Sequence, residues 1–303
     1  MGVYAVTGSA SGMGRQAAEK LRAAGHTVIG VDLRDADVVA DLSGPDGRVA
    51  AAEQVLALCG GHLDGAVLAA GVGPTPRATG LILQVNYFGV VDLLQAWRPA
   101  LAAAPGIAKV VVVGSNSTTT VPAVPRSAIR ALLAGKAAKA GRRLRLFGPG
   151  APSFAYAASK IAVSRWVRRE AVQPSWAGAG IRLNALAPGA ILTPLLEKQL
   201  ATPGQEKAVR SFPVPVGGYG DPAQLADWML FMLSETADFL CGSVIFVDGG
   251  SDAYFRADDW PRSLGISGVP RYLLRMTSFA RTANREVPVQ TAPPSAPAPS
   301  ESS

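Results

Sequence analysis

Short apolar runs punctuate the chain at 3–6 (VYAV), 27–31 (TVIGV), 64–69 (DGAVLA), 109–113 (KVVVV), 181–186 (IRLNAL) and 243–247 (SVIFV). Most are near-continuous rather than alternating, the pattern of strands covered on both faces. Longer stretches of helical character lie between them, at 13–24, 47–58, 79–103, 154–172 and 222–234. Alternating strand and helix predicts an α/β chain, a doubly wound parallel sheet with right-handed crossovers. The chain carries no internal repeat of useful period.

Two segments break the rhythm. Residues 116–152 form a long insertion ahead of the 154–172 helix; its centre, RSAIRALLAGKAAKAGRRLRL, has helix-forming composition and is closed by Gly148, Pro149 and Gly150. Residues 251–285 extend the domain beyond 1–250, and the Pro/Ser/Ala-rich stretch 286–303 is expected to be disordered. The expectation is one domain over 1–250, with a basic helical insertion, a C-terminal extension and a tail.

Composition narrows the class. Hydrophobic residues make up 49% of the chain and charged residues 17%, a globular balance. No apolar run reaches the ~18 residues of a membrane span, so no membrane partner is expected. The opening MGVYAVTGSASG has neither a basic n-region nor an apolar h-region, and Val6 stands where a myristoylation signal wants Ser or Thr. Cys59 and Cys241, without a CxxC, read as reduced thiols, which points to the cytoplasm.

The net charge of +7 is local. Arg126, Arg130, Lys136, Lys139, Arg142, Arg143 and Arg145 lie in the insertion without one acidic residue, and these seven charges equal the whole excess. The patch reads either as an attractor for an anionic substrate, as a shield against subunit contact, or as a solvated helical face. Phe147 is its sole aromatic, too little for base stacking, so nucleic acid is not an expected partner.

The first strand is followed by TGSASGMG, with Gly8, Gly12 and Gly14 leading into a helix. Strand, glycine turn and helix N-terminus in this order form a cradle for a dinucleotide pyrophosphate, as in a Rossmann-type sheet. Asp32, ending the second strand, stands where a carboxylate binds adenosine ribose hydroxyls and repels a 2′-phosphate, favouring NAD over NADP. Arg34 nearby is the countersignal. Farther on, Tyr156 and Lys160 stand one helical turn apart in FAYAASKIAV, so both side chains leave one face.

With these residues the chain resembles the short-chain dehydrogenase/reductase family over residues 1–250, in the TGxxxGxG branch of simple oxidoreductases rather than the epimerase-type branch. The resemblance implies a catalytic set of Asn86 (VNYFG), Ser115 (VVVVGSNS), Tyr156 and Lys160. It implies cofactor contacts from Gly8, Ser11, Gly12, Met13, Gly14, Asp32, Asp41, Leu42, Gly71, Tyr156 and Lys160. Pro188, Gly189, Ile191 and Thr193, in PGAILT, are placed by it against the nicotinamide carboxamide. VDLRDADVVADLS, YAASKIAV and GIRLNALAPGAILTPLL are similar to members acting on hydroxysteroids and bulky carbonyls, which implies a bulky carbonyl or alicyclic alcohol as substrate. It also implies a homo-oligomer, dimer or tetramer. The usual Asn-Asn-Ala-Gly of the family is replaced by Leu68-Ala69-Ala70-Gly71, so a sheet-stabilising hydrogen bond must be made otherwise.

The chemistry follows from the pair. A phenol with a pKa near ~10 is a poor base at neutral pH, and an ammonium one turn away, together with the positive nicotinamide ring, favours the phenolate. Tyr156 is then the proton-transfer group, Ser115 the holder of the carbonyl oxygen, and Asn86, by resemblance, the anchor of a water linking Lys160 to solvent. Ser117 and Thr118 to Thr120 offer rival hydroxyls, and Asn86 also reads as a residue satisfying a kinked helix backbone. No His/Cys/Asp cluster has metal-ligand spacing. The alternative to an NAD-dependent dehydrogenase is a dinucleotide sensor or scaffold without turnover.

Overall fold

The computed structural model describes residues 1–203, 205–260, 263 and 265–283, so the expected tail 286–303 lies outside the described residues. Seven strands form one sheet: β1 (Val3–Thr7), β2 (Thr27–Asp32), β3 (Val38–Val39), β4 (Gly65–Leu68), β5 (Ala108–Val113), β6 (Ile181–Pro188) and β7 (Val244–Val247). Their order is β3-β2-β1-β4-β5-β6-β7 and every pairing is parallel. This is the doubly wound sheet that the apolar runs predict. The strand that the pattern does not announce is β3, whose two residues pair only with Val31 and Asp32.

The helices are α1 (Gly12–Ala23), α2 (Pro45–Leu58), α3 (Thr79–Leu83), α4 (Gly89–Ala102), α5 (Ser117–Thr120), α6 (Arg126–Leu133), α7 (Ala137–Arg145), α8 (Ala151–Glu170), α9 (Pro194–Leu200), α10 (Gln205–Arg210), α11 (Pro222–Leu233), α12 (Ser251–Arg256) and α13 (Val269–Ala283). The stretch expected as one helix over 79–103 is interrupted by a π-helical turn, Gln84–Phe88, between α3 and α4. Two compact units result, Met1–Ala257, which holds the sheet, and Asp258–Ser303, which holds α13. No helix among the described residues is long and apolar enough to cross a membrane.

Successive strand residues point to opposite faces, and each face carries its own core. Val110 and Val112 join Leu93, Leu94, Trp97, Trp166 and Trp176 on one side; Val111 and Val113 join Leu21, Leu225, Met229 and Met232 on the other. Each fully buried Val, Leu or Met contributes roughly 1.5–3 kcal/mol by leaving water. The insertion adds to the first core: Ile129, Leu132 and Leu144 are buried, while all seven of its cations face solvent. The helices α6 and α7 pack on α8 and α7 also on α3, so the basic residues form the outer face of an amphipathic cover.

The order reverses between β1 and β4, where the connections leave the sheet in opposite directions. A crevice at the carboxyl ends of the strands opens there, and the candidate residues gather around it.

Candidate active site

The glycine turn is built for close backbone approach. Gly8 and Gly12 adopt φ of 71° and 54°, the left-handed region. A Cβ on Gly14 would lie 2.3 Å from the Gly8 carbonyl oxygen, so only glycine lets α1 start this near the strand end. Ser11 stands at the N-cap of α1 without a side-chain cap bond, and the first turn carries no acidic residue, which leaves backbone N–H groups and the positive helix end for an anion.

Asp32 is held in place from both sides. One carboxylate oxygen accepts the Ala10 N–H at 2.9 Å and the other the Leu33 N–H at 2.7 Å, tying the glycine turn to the end of β2. Arg34 points away into solvent beside Asp35. A cavity of about 360 Å³ starts here; Gly8, Ser11, Gly12, Met13, Gly14, Asp32, Asp41, Leu42, Gly71 and Thr193 all line it. Ala40, Ser43, Val72, Leu81, Val85 and Leu195 are among the other residues of the wall.

The catalytic candidates meet at the inner end. A Cβ on Gly71 would lie 3.3 Å from Asn86 Oδ1 and 3.8 Å from Lys160 Nζ, so this glycine joins the cavity to both. Lys160 and Tyr156 do share a face of α8, with Nζ 5.9 Å from the centre of the phenol ring. Ser115 follows β5; its side chain stands close enough to Tyr156 to oppose the rise of the phenol pKa, and its Oγ accepts the Ser117 N–H at 3.1 Å. Of the neighbouring hydroxyls, Thr118, Thr119 and Thr120 each donate theirs to a backbone carbonyl of Ser115 or Asn116, while the buried Ser117 Oγ makes no hydrogen bond.

Two details differ from the expectation. Burial raises the Tyr156 pKa, opposed by the Ser115 hydrogen bond. Burial also lowers Lys160 to about 8, and its Nζ donates to the Val113 carbonyl at 2.7 Å. Asn86, fully buried on the π turn, satisfies not its own helix but the loop after β4: Oδ1 accepts from Val72 N–H at 2.8 Å and Nδ2 donates to Val72 O at 3.0 Å. The sheet bond left open by Leu68-Ala69-Ala70-Gly71 is supplied by Thr7, whose Oγ1 accepts the Ala70 N–H at 3.1 Å and whose carbonyl accepts the Ala69 N–H at 3.2 Å.

The 188–193 loop is anchored to its surroundings. Pro188 O accepts from Asn116 N–H at 2.9 Å, and Gly189 N–H donates to Val247 O at 3.1 Å. A Cβ on Gly189 would come within 2.7 Å of the Asp248 backbone. Ile191 is buried against Gly220, and Thr193 caps α9 with its methyl group over Gly12. Asn116 escaped the sequence reading; its backbone carries the link between β5 and this loop, and its side chain reaches Asp248 at 3.4 Å. Among the described residues no group of three His, Cys, Asp or Glu is placed to hold a metal ion.

A parallel switch-point sheet with a glycine cradle and a Ser-Tyr-Lys constellation at one crevice defines a class, and the chain belongs to the short-chain dehydrogenase/reductase family of oxidoreductases. The model for the NAD dependent epimerase/dehydratase family matches residues 4–189, and that for Enoyl-(Acyl carrier protein) reductase matches residues 146–252. The chain is 39% identical to a 3-alpha-hydroxysteroid dehydrogenase/carbonyl reductase of Comamonas testosteroni over 84% of this chain and 98% of the relative. It is 33% identical to a coniferyl-alcohol dehydrogenase of a Pseudomonas strain, over 81% of this chain and 94% of that one. The crystal structure of a 3-alpha-hydroxysteroid dehydrogenase from Pseudomonas sp. B-0831 complexed with NADH superposes with a TM-score of 0.79 at 45% identity, covering 85% of this chain and all of that one.

Proposed function

We propose that the protein is an NAD(H)-dependent dehydrogenase/reductase that interconverts a secondary alcohol and its ketone on a bulky alicyclic or hydroxysteroid-like substrate. The observation that carries it is Gly71, which lines the cavity that starts at the glycine turn and Asp32 and stands against Asn86 and Lys160, joining that cavity to the Ser115, Tyr156 and Lys160 cluster. The residues fit a dinucleotide: the glycines leave a cradle that a single Cβ would fill, and Asp32 offers carboxylate oxygens already oriented by backbone N–H groups. Relatives named for hydroxysteroid and coniferyl-alcohol oxidation, and a neighbour complexed with NADH, support the same reading.

Gly8, Ser11, Gly12, Met13 and Gly14 would hold the pyrophosphate, Asp32 the adenosine ribose, Asp41 and Leu42 the adenosine side of the cavity, and Gly71 its inner end beside Lys160. Pro188, Gly189, Ile191 and Thr193 would bound the nicotinamide end. When bound, the cofactor supplies or accepts the hydride. Ser115 Oγ hydrogen-bonds the substrate oxygen, and Tyr156 Oη takes the alcohol proton in oxidation or returns it in reduction. Lys160, protonated and on the same face of α8, would stabilise the Tyr156 phenolate; its Nζ lies 5.9 Å from the centre of the phenol ring. Asn86 holds the loop at Val72 so that Gly71 stays beside Lys160. Asp32 supports NAD over NADP, since its charge would face a 2′-phosphate.

The protein is proposed to act in the cytoplasm as a homo-oligomer, dimer or tetramer; its two cysteines are free thiols. The test is a screen of hydroxysteroids and alicyclic alcohols with NAD⁺ and NADP⁺, followed by NADH absorbance. Stoichiometric NADH binding without turnover on any alcohol or ketone would favour a sensor instead.

A further inference from the structure

Arg48 is a buried cation that the chemistry above does not use. It is 6% exposed, in the first turn of α2, and four groups from three separate segments converge on it. Its Nε donates to Asp92 of α4 at 2.7 Å. One terminal nitrogen donates both to the Leu42 carbonyl at 3.1 Å and to Gln84 Oε1 of the π turn at 3.2 Å, and the guanidinium lies 5.8 Å from the centre of the Phe88 ring.

These contacts connect two of the segments that line the cavity. Asp41 and Leu42 line it, as do Leu81 and Val85, and Gln84 sits between the latter pair in the chain. The guanidinium therefore ties the backbone of the first segment to a side chain of the second. Its neighbour Gly47 serves the same approach, for a Cβ there would stand 2.0 Å from the Asp41 carbonyl oxygen. A buried charge costs several kcal/mol in desolvation, and an apolar residue of similar volume is often no less stable. A planar fork that satisfies a carboxylate, an amide and a carbonyl together does what an apolar residue cannot: it sets a distance.

We propose that Arg48 is a positioning residue that fixes the width of a purine slot between the Asp41–Leu42 loop and the Leu81–Val85 segment, and so sets affinity for the adenosine half of the dinucleotide alone. The inference rests on the proposed dinucleotide reading of the cavity. Preorganisation is the physical basis, because a site already held in shape does not have to be ordered by the ligand. The far end of the site is governed by other contacts and is independent of Arg48.

The test uses the full-length protein and two fragments, ADP-ribose for the adenosine half and reduced nicotinamide mononucleotide for the other, titrated by calorimetry and fluorescence. Arg48→Met is expected to weaken ADP-ribose about tenfold, which is about 1.4 kcal/mol, and to leave the nicotinamide fragment within twofold. Arg48→Lys keeps the charge without the fork and should fall between. If Arg48→Met does not fold, Gln84→Leu, which cuts the bridge and keeps Arg48 paired with Asp92, should show the same selective loss at smaller size. Equal weakening of both fragments, or an unchanged ADP-ribose affinity in the folded variants, overturns the strut. Failure of the wild type to bind ADP-ribose overturns the dinucleotide reading itself.

Discussion

Lys160 Nζ donates to the carbonyl of Val113 at 2.7 Å, at the end of the strand that leads to Ser115. The side chain that should tune Tyr156 is thus pinned to the backbone that presents Ser115, so one contact fixes all three groups relative to one another. It also holds a cation in the core.

That burial has a consequence for stability against pH. The folded pKa of Lys160 is lowered to about 8, from an ordinary value near 10.5. Below pH 8 the folded protein must carry the buried charge and bears the full cost. Between about 8 and 10.5 the unfolded chain binds the proton while the folded one does not, so this group makes stability rise with pH across that window. Above about 10 the raised pKa values of Tyr156, Tyr87 and Tyr4 act in the opposite direction. Lys160→Met should therefore be more stable than wild type at pH 7, by up to about 3 kcal/mol, and the difference should shrink toward pH 10. Urea unfolding at both pH values measures it, and an unchanged difference would show that the lysine is not the titrating group.

Tyr156→Phe retains the ring and removes the hydroxyl. Positioned acid–base catalysis contributes about 10²–10⁴ in rate, or about 3–5 kcal/mol of barrier. The variant should fold, bind NADH with little change and lose turnover by at least that factor. NADH absorbance over time with one accepted alcohol decides it; comparable rates in the two proteins would remove Tyr156 from the mechanism.

Lys160→Met should also lower turnover and move the oxidation profile toward alkaline pH, because the phenolate loses its nearest cation while burial keeps its pKa high. A pH–rate profile that coincides with that of wild type after scaling would contradict this.

On the proposed reading, Asp32 would have two separable duties, charge and geometry. Asp32→Asn keeps an oxygen for the Ala10 or Leu33 N–H but removes the repulsion of a 2′-phosphate; Asp32→Ala removes both. The preference for NAD⁺ over NADP⁺ should fall about tenfold or more in each. Only the alanine variant should also lose general affinity, seen as weaker binding of both cofactors. A wild type that uses both with equal kcat/KM would dispose of the premise.

Gly14→Ala drives a methyl group into the Gly8 carbonyl, 2.3 Å away. Neither partner is a flexible side chain, so the turn or α1 must shift, at about 1–3 kcal/mol. Chemical denaturation should register that loss, and pyrophosphate-containing ligands should bind more weakly; full stability with full affinity would mean that the turn is not tightly packed.

What the sequence determined by itself was everything that rests on local geometry. Near-continuous apolar runs announced the parallel strands, three glycines after the first of them announced the cradle, and a four-residue spacing put Tyr156 and Lys160 on one face of α8. Each depends only on backbone freedom and helical periodicity, which neighbouring residues express directly. The tertiary structure alone decided which partner each polar group finds. Asn86, on the π turn, found its partner in Val72 of the loop after β4, and Thr7 took over the bond to Ala70. The cations of the insertion faced solvent because Ile129, Leu132 and Leu144 had a core to enter, and Arg48 came to bridge segments far apart in the chain. Hydrogen-bond choice and desolvation are set by what packs across a gap, and no spacing along the chain encodes that distance.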